Sequence, residues 1–252
     1  IVGSDLKDYS VIEEIYKGID VDIYSVDPVS ATMIKYACNA FHALKITFAN
    51  EIGSISESLG GNPIEIMSIF TKDMQLNISE KYLRPGFAYG GSCLNKDLKA
   101  LKTFSREMNK STELINSINS SNETRIKNSV ENILSMTGEN ILIFGLSFKT
   151  GTNDLRNSPY LAVAKELQKN GKQITVIDPD LKYDDIKNNK ENFRIIDLAD
   201  LSFEHCDAII YFKDLLDISK IDEILTKNMI IFDPELLLYS KGIINDRIKL
   251  LI

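Results

Sequence analysis

Two adjacent glycines lead into a cysteine, a lysine and an aspartate in Gly90-Gly91-Ser92-Cys93-Leu94-Asn95-Lys96-Asp97. After them Leu94, Leu98, Leu101 and Phe104 recur at helical spacing, so Cys93 falls on the first turn of a helix. Unpaired N–H groups and the positive end of the helix dipole favour a thiolate there, and the thiolate is the nucleophilic form. Asp97, four residues on, shares a helix face with Cys93. A thiol beside a carboxylate on a glycine turn reads as a covalent catalytic site. The plainer reading is a small buried hydrophobe at a helix start.

A second polar set lies upstream. On a helix of 3.6 residues per turn, Lys35, Asn39, His42 and Asn50 share an arc of roughly 80°. Their neighbours Ile34, Tyr36, Cys38, Phe41 and Phe48 are largely apolar. Buried polar groups require partners. The seam therefore faces another helix, or water, or lines a ligand pocket in which Lys35 and Asn39 donate to a developing oxyanion. A third loop, from Phe148 to Pro159, follows an apolar strand, and ligands in open α/β sheets sit at that end of a strand. Gly145 and Gly151 do not form GxGxxG. Lys149 and Arg156 are the groups suited to a phosphate, and Asp178 ends the next strand where a ribose-binding acid would stand. An exposed charged loop is the alternative.

These stretches need elements to hold them. A short helix is expected over residues 9–18 and an extended segment over 22–26. A long helix follows from about Ser30 to Leu59, stopped by Gly60-Gly61, with Met33, Cys38, Phe41, Leu44, Phe48 and Ile52 facing the core. Asn62-Pro63 starts another helix. Residues 111–136 form a helix polar on much of its surface, read as a spacer or a dimer-forming helix. The character changes near residue 137. Apolar runs at 141–146, 174–177, 193–196, 208–212 and 229–232 alternate with helical stretches, which indicates a parallel sheet with helices on its faces.

The 252 residues have room for one large or two ordinary domains. With 44% apolar and 26% charged residues the chain forms real cores. A net charge of −7 argues against nucleic acid or an anionic membrane as partner, not against a small anionic ligand in a basic pocket. Three scattered cysteines, no CxxC and two histidines make a metal site unexpected and fit a reducing, cytoplasmic compartment. No apolar run is long enough to cross a bilayer.

Together the stretches resemble the UDP-glucose/GDP-mannose dehydrogenase family. The residues that carry this are Met33 to Asn39, Phe48-Ala49-Asn50-Glu51, Arg84-Pro85-Gly86-Phe87, Gly90 to Asp97, Gly145-Leu146-Ser147-Phe148-Lys149, and Asp154-Leu155-Arg156-Asn157-Ser158-Pro159, in the family's order over nearly the whole chain. Phe41 to Lys45, Asn77-Ile78-Ser79, Leu94 and the Gly-Leu-Ser-Phe-Lys run lean toward its GDP-mannose members.

The resemblance implies an α/β chain. Residues 1–28 would be the end of an NAD-binding domain, 29–137 a central helical dimerisation domain, and 138–252 a Rossmann-like nucleotide-sugar-binding domain. It implies NAD-dependent, two-step oxidation of a sugar C6 alcohol to a uronic acid through a thiohemiacetal and thioester on Cys93. Lys35 and Asn39 match the oxyanion-stabilising residues, and Asp97 the acid that assists proton transfer and hydrolysis. His42, Asn50, Asn77, Tyr82, Arg84, Gly90 and Lys149 match substrate-binding positions, with Arg84 reaching a partner subunit's site, and Arg156 matches a residue near the cofactor. The partners implied are the nucleotide sugar and a second copy of the chain. Asn95 stands where proline is usual, Asn153 and Asn157 where acids are usual, and Lys81 where an aromatic is usual. The NAD-binding domain, with its glycine-rich loop and a catalytic glutamate, is expected to lie outside residues 1–252. Rival readings are a UDP-glucose substrate, a sugar-nucleotide-binding fragment without chemistry, and a 3-hydroxyacid dehydrogenase relative.

Overall fold

A capped proline opens the longest helix. Helix α2 (Pro28–Ser58) starts with Pro28 in its first turn, and the Asp27 carboxylate accepts from the Ser30 N–H at 2.9 Å. In the computed structural model, which describes residues 1–5, 10–58, 60–74, 85–107, 113–182, 184–185, 193–227 and 229–251, α2 is preceded by β1 (Val2–Gly3), α1 (Ser10–Ile15) and β2 (Ser25–Val26), with β1 and β2 paired in parallel. It is followed by α3 (Pro63–Phe70), where Asn62 accepts from the N–H groups of Ile64 and Glu65. Helices α4 (Ser92–Glu107) and α5 (Glu113–Met136) complete the helical half.

The core of this half differs from the periodicity reading. Met33, Phe41 and Phe48 are exposed, as is Cys38; Leu44 and Ile52 are half-buried. The fully buried positions on α2 include Ala40, Ala43 and Ala49. Neighbouring helices approach closest where side chains are small, so α4 and α5 pack on Ala40 and Ala43 and α3 on Ala49, while Met33, Phe41 and Phe48 stay exposed. Helix α5 is also not a free spacer. Its Ile118 joins the core with Tyr89 and Leu98, while its Val130 and Ile133 belong to the core beneath the sheet.

The sheet half contains β3 (Asn140–Phe144), α6 (Pro159–Lys169), β4 (Gln173–Ile177), β5 (Arg194–Ile195), β6 (Ala208–Tyr211), α7 (Ile218–Thr226), β7 (Ile230–Phe232), α8 (Leu237–Ser240) and β8 (Ile248–Lys249). The strands run in the order β5-β4-β3-β6-β7-β8, all parallel. Numbered within the sheet this is 3-2-1-4-5-6, the Rossmann order, with its switch point between β3 and β6. β8 spans only two residues, at the start of the apolar stretch Ile248-Lys249-Leu250-Leu251-Ile252. Side chains alternate across the sheet: Ile141, Ile143 and Ile210 pack toward α5 and α6, and Leu142, Phe144, Ile209 and Tyr211 pack on the opposite face with α7.

Asp178, at the end of β4, is not a ribose-binding acid here. Its Oδ2 accepts from the N–H groups of Leu146 and Ser147 at 2.9 and 3.0 Å. Its Oδ1 meets Lys213 Nζ at 2.8 Å, and Lys213 also reaches Asp180 at 3.0 Å. Both members of the Asp178–Lys213 pair are buried, with 0% and 6% of the side chain exposed. They tie the loops after β3, β4 and β6 together across the switch point. Losing one partner of such a pair leaves a buried charge. Lys213→Met is expected to lower unfolding free energy by about 3 kcal/mol in urea titrations; an unchanged midpoint and slope would contradict this assignment.

Candidate active site

The strip Pro85–Gly90 is buried except for half-exposed Gly86, and it has no strand or helix to satisfy its backbone. Side chains do so instead. Asn50 Oδ1 accepts from the Gly86 N–H at 2.9 Å and Asn50 Nδ2 donates to the Phe87 carbonyl at 3.0 Å. Asn122 repeats the pattern on Tyr89, accepting from its N–H and donating to its carbonyl, both at 2.9 Å. Arg125 donates to the Gly86 carbonyl at 2.8 Å. Helices α2 and α5 thus clamp the strip between them.

The strip ends in the glycine pair, which docks on the sheet half. A Cβ on Gly90 would collide with Pro159 Cδ and lie 2.7 Å from the Asn157 carbonyl oxygen. Gly91 has φ +84°, and a Cβ there would lie 2.9 Å from the Phe148 ring. The Gly91 N–H donates to the Asn157 carbonyl at 3.2 Å. Pro159 itself is fixed by the α6 cap, where Ser158 accepts from the Leu161 N–H and donates to the Leu146 carbonyl at 2.6 Å. The turn that launches Cys93 is therefore held by both halves.

On α4, Cys93 is exposed and Asp97 is wholly buried. Asp97 Oδ2 accepts from Lys35 Nζ at 2.9 Å and, more closely, from Asn39 Nδ2. Its Oδ1 is buried and accepts no hydrogen bond among the described residues; Lys96 Nζ stands 4.0 Å away. The Lys35 ammonium spends one of its three donors on Asp97 and keeps more than half of its side chain exposed. Its pKa is raised, chiefly by the hydrogen bond to Asp97 and in smaller part by the charge of Cys93. Arg156 is raised mainly by Asp154 and likewise in part by Cys93. Two cations from different elements, α2 and the β3–α6 loop, thus lie close enough to Cys93 to feel its charge. Burial pushes the Cys206 thiol up to about 11.

The structure thus brings Lys35, Asn39, Cys93 and Asp97 together, with Gly90 at the base of their turn. His42 sits one turn beyond Asn39, half-buried, its pKa pushed down by burial and then by Lys45, so its imidazole is neutral at pH 7. The Asn50 amide is buried and holds the strip with one hydrogen bond from each end. Lys149 is exposed beside Phe148. Arg156 is exposed and bound to Asp154 at 2.7 and 2.9 Å, which holds that carboxyl down at about 2. Asn77, Tyr82 and Arg84 lie outside the described residues. Asn122, Arg125, Tyr160 and Glu235 are the residues that sequence reasoning passed over.

The donors present do not suit an NAD pyrophosphate at the sheet. The N–H groups of Leu146 and Ser147 at the end of β3 are taken by Asp178, and Lys213 is neutralised by two aspartates. No step through that cofactor is assigned to these residues. Among the described residues no three His, Cys, Asp or Glu gather as a metal site, and no helix is long and apolar enough to cross a membrane.

Residues 29–124 match the central domain of the UDP-glucose/GDP-mannose dehydrogenase family, and residues 142–240 match that family's UDP binding domain. A GDP-mannose 6-dehydrogenase of Pseudomonas syringae pv. syringae is 35% identical over 216 residues, covering 84% of this chain and 49% of the relative. A UDP-glucose 6-dehydrogenase of Bacillus subtilis is 34% identical over 184 residues, covering 71% of this chain and 41% of the relative. The chain spans about half the length of the curated relatives it matches. Among solved structures, a UDP-glucose dehydrogenase from Pyrobaculum islandicum has the same fold at a TM-score of 0.81 and 23% identity, over 95% of this chain and 54% of the other. A ternary complex of GDP-mannose dehydrogenase from Pseudomonas aeruginosa is 32% identical with a TM-score of 0.55, over 89% of this chain and 54% of the other.

Burial raises the Asp97 pKa, but the hydrogen bonds from Lys35 and Asn39 outweigh it and hold the carboxyl below its usual value. A depressed folded pKa stabilises above the unfolded value of about 3.9 and is lost as pH falls through the folded one. In urea titrations, the stability advantage of the wild type over Asp97→Asn is expected to be full near neutral pH and to shrink steadily below about pH 4. A constant difference from pH 6 to pH 3 would contradict the pairing.

Proposed function

The chain belongs to the UDP-glucose/GDP-mannose dehydrogenase family, and on that footing we propose that the protein oxidises the C6 alcohol of a nucleotide sugar, GDP-mannose in preference to UDP-glucose, to the uronic acid. When bound, NAD supplies the hydride acceptor. The observation that carries the reading is an exposed thiol one helical turn from the buried Asp97 carboxylate, which Lys35 and Asn39 hold and whose Oδ1 accepts no hydrogen bond among the described residues. In this reaction the Cys93 thiolate adds to the C6 aldehyde and forms a carbon–sulfur bond. The carbonyl electrons move to oxygen, where Lys35 and Asn39 donate to the oxyanion. After the second oxidation the C6 carbon is a thioester. Asp97 orients and takes a proton from the water that breaks it, releasing the carboxylate and regenerating the thiol.

The preference for GDP-mannose is supported by the relatives of that name, of which several are 35–40% identical. The exposed Met33, Phe41 and Phe48 on α2 and Ile66 and Ile69 on α3 support a homodimer, since such side chains in number mark an interaction surface. The protein is proposed to act in the cytoplasm.

The test is the complete gene product, including whatever precedes Ile1, assayed with GDP-mannose and UDP-glucose side by side. Two NADH per GDP-mannose and a higher kcat/KM than for UDP-glucose are expected, with Cys93→Ser lowering the rate by at least about 100-fold. Full turnover by the serine variant would overturn the covalent route. Sedimentation at micromolar concentration is expected to give a dimer that Phe48→Glu dissociates; a monomeric wild type would contradict the dimer.

A further inference from the structure

A cavity of about 830 Å³ opens where the two halves meet, a size suited to a nucleoside-sized ligand. Among the described residues, Ile46 and Met67 of the helical half form one wall. The 85–89 strip and Phe148 form a second, and Tyr160, Glu235 and Tyr239 form a third. Phe148 links it to the reaction centre, because its ring lies against Gly91, two residues before Cys93. Apolar and aromatic walls of this kind stack a planar base.

One group on these walls is out of place. Glu235 follows β7 and carries its carboxyl into the seam between the halves. Oε1 accepts from the Tyr160 hydroxyl at 2.8 Å. Oε2 has no hydrogen bond among the described residues and lies 3.9 Å from where a Gly86 Cβ would be. Burial pushes the carboxyl up to about 7, with Asp233 adding to the rise and the Tyr160 bond and Arg125 opposing it. Tyr160 is itself fixed, stacked on Phe212 with ring centroids 4.2 Å apart. The carboxyl is thus half-buried and held on one side by Tyr160, with Glu235 lining the cavity.

We propose that Glu235 reads the base of the nucleotide sugar, selecting guanine through its Watson–Crick edge. This rests on the nucleotide-sugar reading above and deepens it. In its ionised form the Glu235 carboxyl has two oxygens and about four acceptor positions, so above about pH 7 Oε1 and Oε2 accept two adjacent donors while Tyr160 keeps its bond. Guanine is the common base with two adjacent donors, N1–H and the 2-amino group. Uracil offers one N–H between two carbonyl oxygens, and those oxygens would face the carboxylate. Adenine and cytosine pair their amino group with a ring acceptor, which is equally mismatched. A site that leaves buried polar groups unpaired with the wrong ligand discriminates strongly.

The test is calorimetric binding of GDP, IDP and UDP to the chain; IDP is GDP without the 2-amino group. The wild type is expected to bind GDP at least about tenfold tighter than IDP or UDP, the worth of a hydrogen bond to a charged group. Glu235→Gln places an amide where the second acceptor stood and is expected to bring GDP to the level of IDP. Equal GDP and IDP affinities in the wild type overturn the proposal without any variant. So does a GDP/IDP ratio that Glu235→Gln, folded by its thermal transition, leaves unchanged. Failure here with GDP-mannose still oxidised by the complete protein removes the base-reading role alone; failure of that turnover removes the function it rests on.

Discussion

Six residues of irregular backbone, 85–90, lie between the helices and the sheet, and their polar groups must be paired without help from regular structure. Asn50, Asn122 and Arg125 supply that pairing from two helices, α2 and α5. The two asparagine amides each close a two-bond ring on the strip, a geometry that fixes position as well as energy. An unpaired buried N–H or carbonyl costs about 1–3 kcal/mol, so the strip has little freedom to sit elsewhere. Cys93 is where it is because this strip ends in Gly90-Gly91 against Asn157 and Pro159.

From that placement the rest follows. The cysteine helix leaves the glycine turn with Asp97 aimed inward at α2, where Lys35 and Asn39 meet it. The same turn leaves the thiol exposed. Phe87 extends the connection, lying 5.2 Å from Phe212 and 6.0 Å from Tyr160 between ring centroids. The helical half and the sheet half therefore share an aromatic contact, a hydrogen-bonded strip and a cavity. A change in either half reaches the cysteine through few intermediates.

How much of this was legible depended on which interactions were local. The parallel sheet is readable because its strands are apolar runs, and helical spacing pairs Lys35 with Asn39 and Cys93 with Asp97; that the two pairs belong to one site is implied only by the family resemblance. The exposed side of α2 was misread, since periodicity marks apolar residues without saying which of them a neighbour covers. The alanines were the contact positions, and nothing in their composition announces that. Asn122 left a faint signal: it stands four residues after Ile118, on an apolar face. Glu235 left none, as its surroundings are made by stretches distant in the chain, Tyr160 and the 85–89 strip. Asp178 was misjudged for a related reason: the lysine that claims it is far along the chain.

The account stands on the sulfur of Cys93 as the atom that bonds to substrate carbon. Acid quenching of the complete protein during turnover with GDP-mannose, followed by peptide mass spectrometry, observes that bond directly. The account predicts the peptide containing Cys93 with the added mass of the sugar acyl group. Sustained turnover with that peptide unmodified, or with the adduct on another residue, would contradict it.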